Sequence, residues 1–274
     1  LNPEPDYDLM KGDELILIRS AGQKVKIVQK EENQDSTSSP KSFTRPKIKR
    51  ALVLSKNPNL GPIVRELDQH SSEDIEIVLA CIDSKSTAET LLDKHQNSFS
   101  GRLDIKPIEF NLDGIWSLEL LEPKTFDVIF LVANESDDQA EADNATILIL
   151  LLLKEMKRKS NDTFFPPVIA EFLDQDSQEL NQDSPLTDAV VSTTFLSMLL
   201  AQLVKAPFME RIYQELLSAG GIEIALRPIE RYVSFGEKIR FANLVNTALN
   251  ANEIAVGYQT GSETRDIEIN PPKH

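Results

Sequence analysis

The residues of this sequence best placed to do chemistry are acids that follow predicted strands. Asp83 follows one strand, Glu135, Asp137 and Asp138 follow another, and Glu171, Asp174 and Asp176 surround a third. Over residues 127–188 there are 14 acidic residues against 4 basic ones. Hard oxygen ligands grouped in this way suit Ca²⁺ better than Zn²⁺ or copper. The candidate metal ligands are therefore Glu135, Asp137, Glu171 and Asp174. No EF-hand loop is present, so such a site would be assembled from separate loops. The plainer reading of the same acids is helix capping and solubility, because carboxylates favour helix N-termini.

Other chemistries find little support. His70, His95 and His274 stand in no nucleophile or metal arrangement, and the sequence holds no G-x-S-x-G, P-loop or H-E-x-x-H motif. The lone Cys81 rules out a disulfide framework and a multi-cysteine zinc site; inside an apolar strand it reads as a small core residue. An enzyme is not expected. A dinucleotide-binding loop needs glycines after its first strand so that pyrophosphate reaches the helix N-terminus. Here that stretch is Ser55-Lys56-Asn57-Pro58-Asn59-Leu60-Gly61-Pro62, with one glycine and two prolines that remove donors. Asp83 is positioned to touch a ribose hydroxyl, but an acid at a strand end is more simply a solvated cap. NAD is therefore disfavoured.

The elements that must position the acids follow a regular order. Predicted strands at 51–54, 75–80, 105–110, 127–132 and 167–172 alternate with predicted helices at 61–69, 87–94, 114–121 and 138–158. Strands apolar on both faces, alternating with helices, imply a parallel sheet covered on both sides. With right-handed crossovers this is an α/β, Rossmann-like, doubly wound domain. Thr187 to Gly220 reads as helical and interrupted by Pro207, giving two helices stopped by Gly220-Gly221. Short strands at Ile222–Leu226, Ile254–Tyr258 and Ile267–Ile269 then form a small α+β lobe.

The N-terminal part differs. Glu14–Ile18 and Lys24–Val28 read as two strands that cannot form a core alone. Residues 29–47 are polar and Ser-rich and read as a linker. Residues 1–50 carry a small basic excess, 10 basic against 8 acidic, whereas the whole chain of 274 residues has a net charge of −15. That balance argues against a nucleic-acid partner. No apolar run approaches the ~20 residues that span a bilayer, the longest being Ile147–Leu153. The polar stretch Leu1–Asp8 has no signal-peptide character.

Two stretches are apolar beyond the needs of one small sheet: Ala145–Leu153, apolar all round, and Val190–Val204. The first is expected to be buried between the sheet and something else. The second follows the sheet unit as a crossover would. An exposed apolar helix at a sheet edge marks an interface, so self-association is expected.

Asp127-Val128-Ile129-Phe130-Leu131-Val132-Ala133-Asn134-Glu135-Ser136, then Ala142-Asp143, Leu150-Leu151-Leu152, Asp188–Ser192, Met198–Ala201 and Ile269-Asn270-Pro271-Pro272 occur in an order that resembles the RCK domains of ion channels and transporters. The likeness is greatest to the cytosolic region of CASTOR/POLLUX-type ion channels and covers roughly residues 48–274. Leu1–Pro5 with Lys11–Ile18 resembles the closing segment of an RCK C-lobe, and Ile269–His274 the opening of that segment. The resemblance divides the chain into a closing β segment of a preceding unit (1–28), a linker (29–47), an N-lobe (48–186), a crossover helix-turn-helix (187–220) and a partial C-lobe (221–274). Alternatively, Leu15–Ile18 completes the lobe formed by the C-terminal half.

It implies a gating domain on the cytosolic side of a membrane, itself soluble. Its partners would be further copies, paired through the crossover helices as a dimer or a gating ring, and the pore domain. Ca²⁺ gates many such domains and nucleotides gate others. Glu171 matches a strand-five acid that helps to hold Ca²⁺ in some relatives; two residues later this chain has Leu173 where such relatives can carry another acid. A stand-alone Rossmann-type nucleotide-binding protein or oxidoreductase, and a scaffold without a ligand, are the alternatives.

Overall fold

The computed structural model describes residues 48–55, 60–70, 73–82, 102–133, 138–160, 164–179, 187–206, 208–218, 222, 224–233, 240–260, 266–269 and 271. The expected segment 1–28, the linker 29–47, the helix at 87–94, Asp83, Glu135, Asp137 and Gly220-Gly221 lie outside the described residues.

One compact unit spans residues 47–223. In chain order it contains β1 (Arg50–Ser55), α1 (Gly61–His70), β2 (Ile75–Ile82), β3 (Leu103–Phe110), α2 (Ile115–Glu119), β4 (Val128–Val132), α3 (Gln139–Lys159), β5 (Val168–Phe172), α4 (Gln175–Glu179), β6 (Thr187–Val191), α5 (Ser192–Lys205) and α6 (Met209–Leu217). The six strands form one parallel sheet in the order β3-β2-β1-β4-β5-β6. This is the Rossmann-like doubly wound order, whose direction of winding reverses between β1 and β4.

Alternation along each strand divides the core into two layers. Leu52 and Leu54 of β1, Ile129 and Leu131 of β4, and Val168, Ala170 and Phe172 of β5 face one side, where Ile149, Leu150 and Leu153 of α3 cover them. Ala51 and Val53 of β1 and Ile77, Leu79 and Cys81 of β2 face the other, with Val64 of α1. The apolar run in α3 buries one stripe and not its whole circumference. Asp143, Thr146, Ile149, Leu150 and Leu153 are buried, whereas Leu148 and Leu151 are about half exposed.

The sixth strand corrects the sequence reading, which took Thr187 as the start of a helix. Residues 187–191 extend beside β5, pairing Ala170 with Ala189 and Phe172 with Val191. Val190 and Val191 are β-branched and fit a pleated surface, and Val191 keeps an extended backbone immediately before α5. Two helices do follow, the first ending at Lys205 and the second beginning at Met209, while Pro207 itself lies outside the described residues.

Charge pairs tie the amino ends of the strands. The N–H groups of Lys49 and Arg50 donate to Asp127 Oδ2 at 2.7 and 2.9 Å. The Arg50 guanidinium binds Glu76 at 2.7 Å and lies 4.7 Å from the centre of the Phe126 ring. Lys106 Nζ reaches the other Glu76 oxygen at 2.8 Å.

A second unit includes residues 224–274. Its described residues form a 3₁₀ turn (Ile229–Arg231), α7 (Phe241–Leu249) and an antiparallel ribbon of β7 (Gly257–Thr260) and β8 (Asp266–Ile269). A Cβ at Gly257 would lie 2.3 Å from the Glu268 carbonyl oxygen, so the close approach of the two strands requires glycine there. Tyr258 packs near Phe241 of α7, with ring centres 6.2 Å apart. Three details differ from expectation. The described residues among 222–226 belong to no strand, the strand expected from Ile254 begins at Gly257, and α7 stands where the sequence predicts no element. The shift at Ile254 follows from the end of α7. There Asn252 turns left-handed (φ 58°) and the Glu253 N–H bonds back to the Ala248 carbonyl, so the chain leaves the helix before it pairs.

Hydrogen bonds from Lys106 and then Arg50 hold the Glu76 carboxyl below the usual glutamate range. A depressed folded value means that the pairing stabilises above the unfolded pKa and is lost as pH falls through the folded one. Glu76→Gln is expected to lower stability at pH 7 by under about 1 kcal/mol. The deficit should shrink as pH falls below about 4.3; urea unfolding of both proteins along a pH series checks this.

Candidate functional site

In open α/β sheets, ligands bind outside the carboxyl ends of the strands where the winding reverses. At that point Ser55 Oγ donates to the Val132 carbonyl at 3.0 Å and ties the end of β1 to the end of β4. The cavity beneath, lined by Ser55, Val132, Ala142, Thr146 and Ile149 among others, measures about 20 Å³. That is room for about one water. A shallow cleft of about 410 Å³ opens beside the ends of β2 and β3, where Asn111, Asp113 and Asn144 meet Ile82 and Leu148.

The acids at the β4–β5 end have specific partners. Glu171, the fourth residue of β5, accepts the Ala133 N–H on Oε2 at 3.2 Å. This fastens the residue that follows β4 to its neighbouring strand. Asp143, in the second turn of α3, is 1% exposed. Its Oδ1 accepts the Leu173 N–H at 2.8 Å and its Oδ2 accepts the Asp174 N–H at 2.9 Å. Asp174 is itself exposed at the start of α4. Leu173 is buried in contact with Ala133 and Ala142. Its carbonyl accepts the hydroxyl of Thr193, in the first turn of α5, at 2.8 Å.

Of the four expected metal ligands, Glu171 and Asp174 come to one edge of the sheet, and Glu135 and Asp137 lie outside the described residues. Among the described residues, no group of three or more histidines, cysteines and acids is arranged to hold a metal ion. The residue that organises this edge is Asp143, which was not among the expected ligands. Its signal was an acid on the buried stripe of α3, in register with Thr146, Leu150 and Leu153 at helical spacing.

A second feature lies beyond β6. No residue of α5 is buried. Phe195, Leu196, Met198, Leu200 and Val204 are each more than half exposed. Its last residue, Lys205, is the one charge in fourteen positions. Phe208, just beyond, is exposed and left-handed (φ 73°), an uncommon conformation for a bulky side chain. Among the described residues, no helix is long and apolar enough to cross a membrane.

Replacing Asp143 by alanine leaves the buried Leu173 N–H without its acceptor. This is expected to cost about 1–3 kcal/mol, measured as a lowered urea midpoint with an unchanged slope.

No protein-family model matches the chain. Individual proteins do. The ion channel CASTOR of Lotus japonicus is 27% identical over an alignment taking in 99% of this chain and 35% of that protein. A probable ion channel CASTOR of Oryza sativa subsp. japonica is 24% identical over 99% of this chain and 34% of its own. A probable ion channel POLLUX of Arabidopsis thaliana is 24% identical over 99% of this chain and 36% of its own. The chain thus spans about a third of the length of the curated relatives it matches. Over nearly its whole length, it is homologous to ion channels of the CASTOR/POLLUX type.

Proposed function

We propose that this chain is the regulatory region of an ion channel, of RCK type, which lies on the cytosolic side of the membrane and self-associates through α5. The observation that carries this reading is a nearly uncharged helix with no buried residue in a chain whose net charge is −15. Two acidic molecules repel over most of their surface. The α5 face is where two copies can meet without bringing carboxylates together, and its large apolar side chains would leave water. Homology to proteins named as ion channels supplies the setting. The half-exposed Trp116, Leu148 and Leu151 of α2 and α3 offer a second apolar face. An assembly larger than a symmetric dimer needs a further interface of this kind.

Sedimentation velocity over a concentration series tests the association. The unaltered chain should be dimeric or larger, and Leu196→Glu with Leu200→Glu should weaken association by at least about tenfold, a cost of about 1.4 kcal/mol, with unchanged circular dichroism. A chain that stays monomeric at high concentration overturns the reading.

The ligand we propose for the strand ends is Ca²⁺, on the strength of the acidic excess over residues 127–188. Thermal unfolding of chelator-stripped protein should shift upward with Ca²⁺ and not with Mg²⁺. Saturation at ~100 times the dissociation constant adds ~2.7 kcal/mol. Glu171→Gln should remove the shift. Equal behaviour in the two cations eliminates Ca²⁺ as the ligand.

A further inference from the structure

We infer that Asp143 and Thr193 are positioning residues that couple the carboxyl ends of β4 and β5 to α5 through one peptide unit, Leu173. The N–H, carbonyl and side chain of Leu173 are held between α3, α5 and the residue that follows β4. Its N–H bonds to Asp143 of α3 at 2.8 Å, and the next N–H in the chain bonds to the same carboxylate at 2.9 Å. Its carbonyl takes the Thr193 hydroxyl of α5 at 2.8 Å. Its side chain, 7% exposed, packs on Ala133 after β4 and Ala142 of α3. Ala133 is fastened in turn to Glu171 of β5.

The helix α5 grows directly out of β6, which is one attachment. A single attachment leaves a helix free to swing about it; a second fixes its direction. The Thr193–Leu173 bond is a further attachment, to the end of β5, reaching 20 residues back along the chain. Movement of Glu171, Asp174 or the end of β4 must displace Leu173 and so break its bond to α3 or pull on α5. The direction of α5, and with it the face offered to a second copy, is therefore set at the strand ends. This consequence for association rests on the reading of α5 as the associating helix; the coupling itself does not.

Hydrogen exchange followed by mass spectrometry, on the whole chain at a dilution where it is monomeric, tests the coupling. Asp143→Asn should speed exchange in peptides covering residues 196–202 roughly tenfold. The same substitution should add nothing in a Thr193→Val background, and Thr193→Ser, which keeps the hydroxyl, should exchange like the unaltered chain. Equal acceleration by Asp143→Asn in both backgrounds, or acceleration confined to residues 173–174, overturns the inference. Should Asp143→Asn unfold the sheet, seen as exchange throughout β1 and β4, the comparison of Thr193→Val with Thr193→Ser decides alone: no difference between them overturns it. Because the readout is taken on the monomer, failure of the coupling leaves association through α5 standing. A chain that never associates still reports the coupling.

Discussion

One buried carboxylate holds the carboxyl edge of this sheet together. Asp143 is carried into the core by the apolar stripe of α3, where an isolated charge would be costly. Two backbone N–H groups at 2.8 and 2.9 Å make its burial tolerable. Those two amides belong to the turn between β5 and α4, so the same contacts hold the end of β5 against α3. Ser55, Glu171 and Thr193 repeat the device at smaller scale, each tying one element to the backbone of another. Polar side chains at this edge act first on the protein's own backbone. Any ligand taken there would have to work through, or against, these bonds.

At the other extreme stands α5, where Thr193 is bonded back to Leu173 but the large apolar side chains lie exposed. A doubly wound sheet buries its strands between helices, and α3 and α1 do that here. The helix α5 comes after β6, the last strand of the parallel sheet, and none of its residues belongs to the buried core of the described residues. Its sequence, nearly free of charge, would be a solubility liability for a chain living alone. In the reading proposed above, it is the face through which copies of net charge −15 would meet. The Leu173 junction joins these two features, since the turn that Asp143 fixes is also bonded to the first turn of α5.

Much of this architecture was legible in the sequence, because both-faced apolar strands and helical stripes are local patterns. The strands at 75–82 and 128–132 and the long helix at 139–159 follow directly from periodicity. The sixth strand did not, because Thr187–Val191 runs without a turn residue into the apolar helix that follows. Its strand character comes from pairing with β5. The helix at 241–249 is not among the elements the sequence predicts, and the described residues among 222–226 belong to no strand. At the site, the acidity of the strand ends was plain from composition. The part played by Asp143 depends on amides 30 residues away, a distance that no local pattern spans. Glu171, expected as a ligand, accepts a bond from the residue that follows the neighbouring strand.

The most direct measurement of the central claim is the distance between two copies of α5. Lys205→Cys places a single label at the charged, exposed end of the helix, while Cys81 is buried and stays unlabelled in the native protein. Pulsed dipolar spectroscopy of the spin-labelled chain should then give one narrow intermolecular distance, which disappears on dilution with unlabelled protein. Absence of any intermolecular coupling at concentrations where the chain is soluble would contradict self-association. A coupling left unchanged by Leu196→Glu would show that the copies meet through some face other than α5.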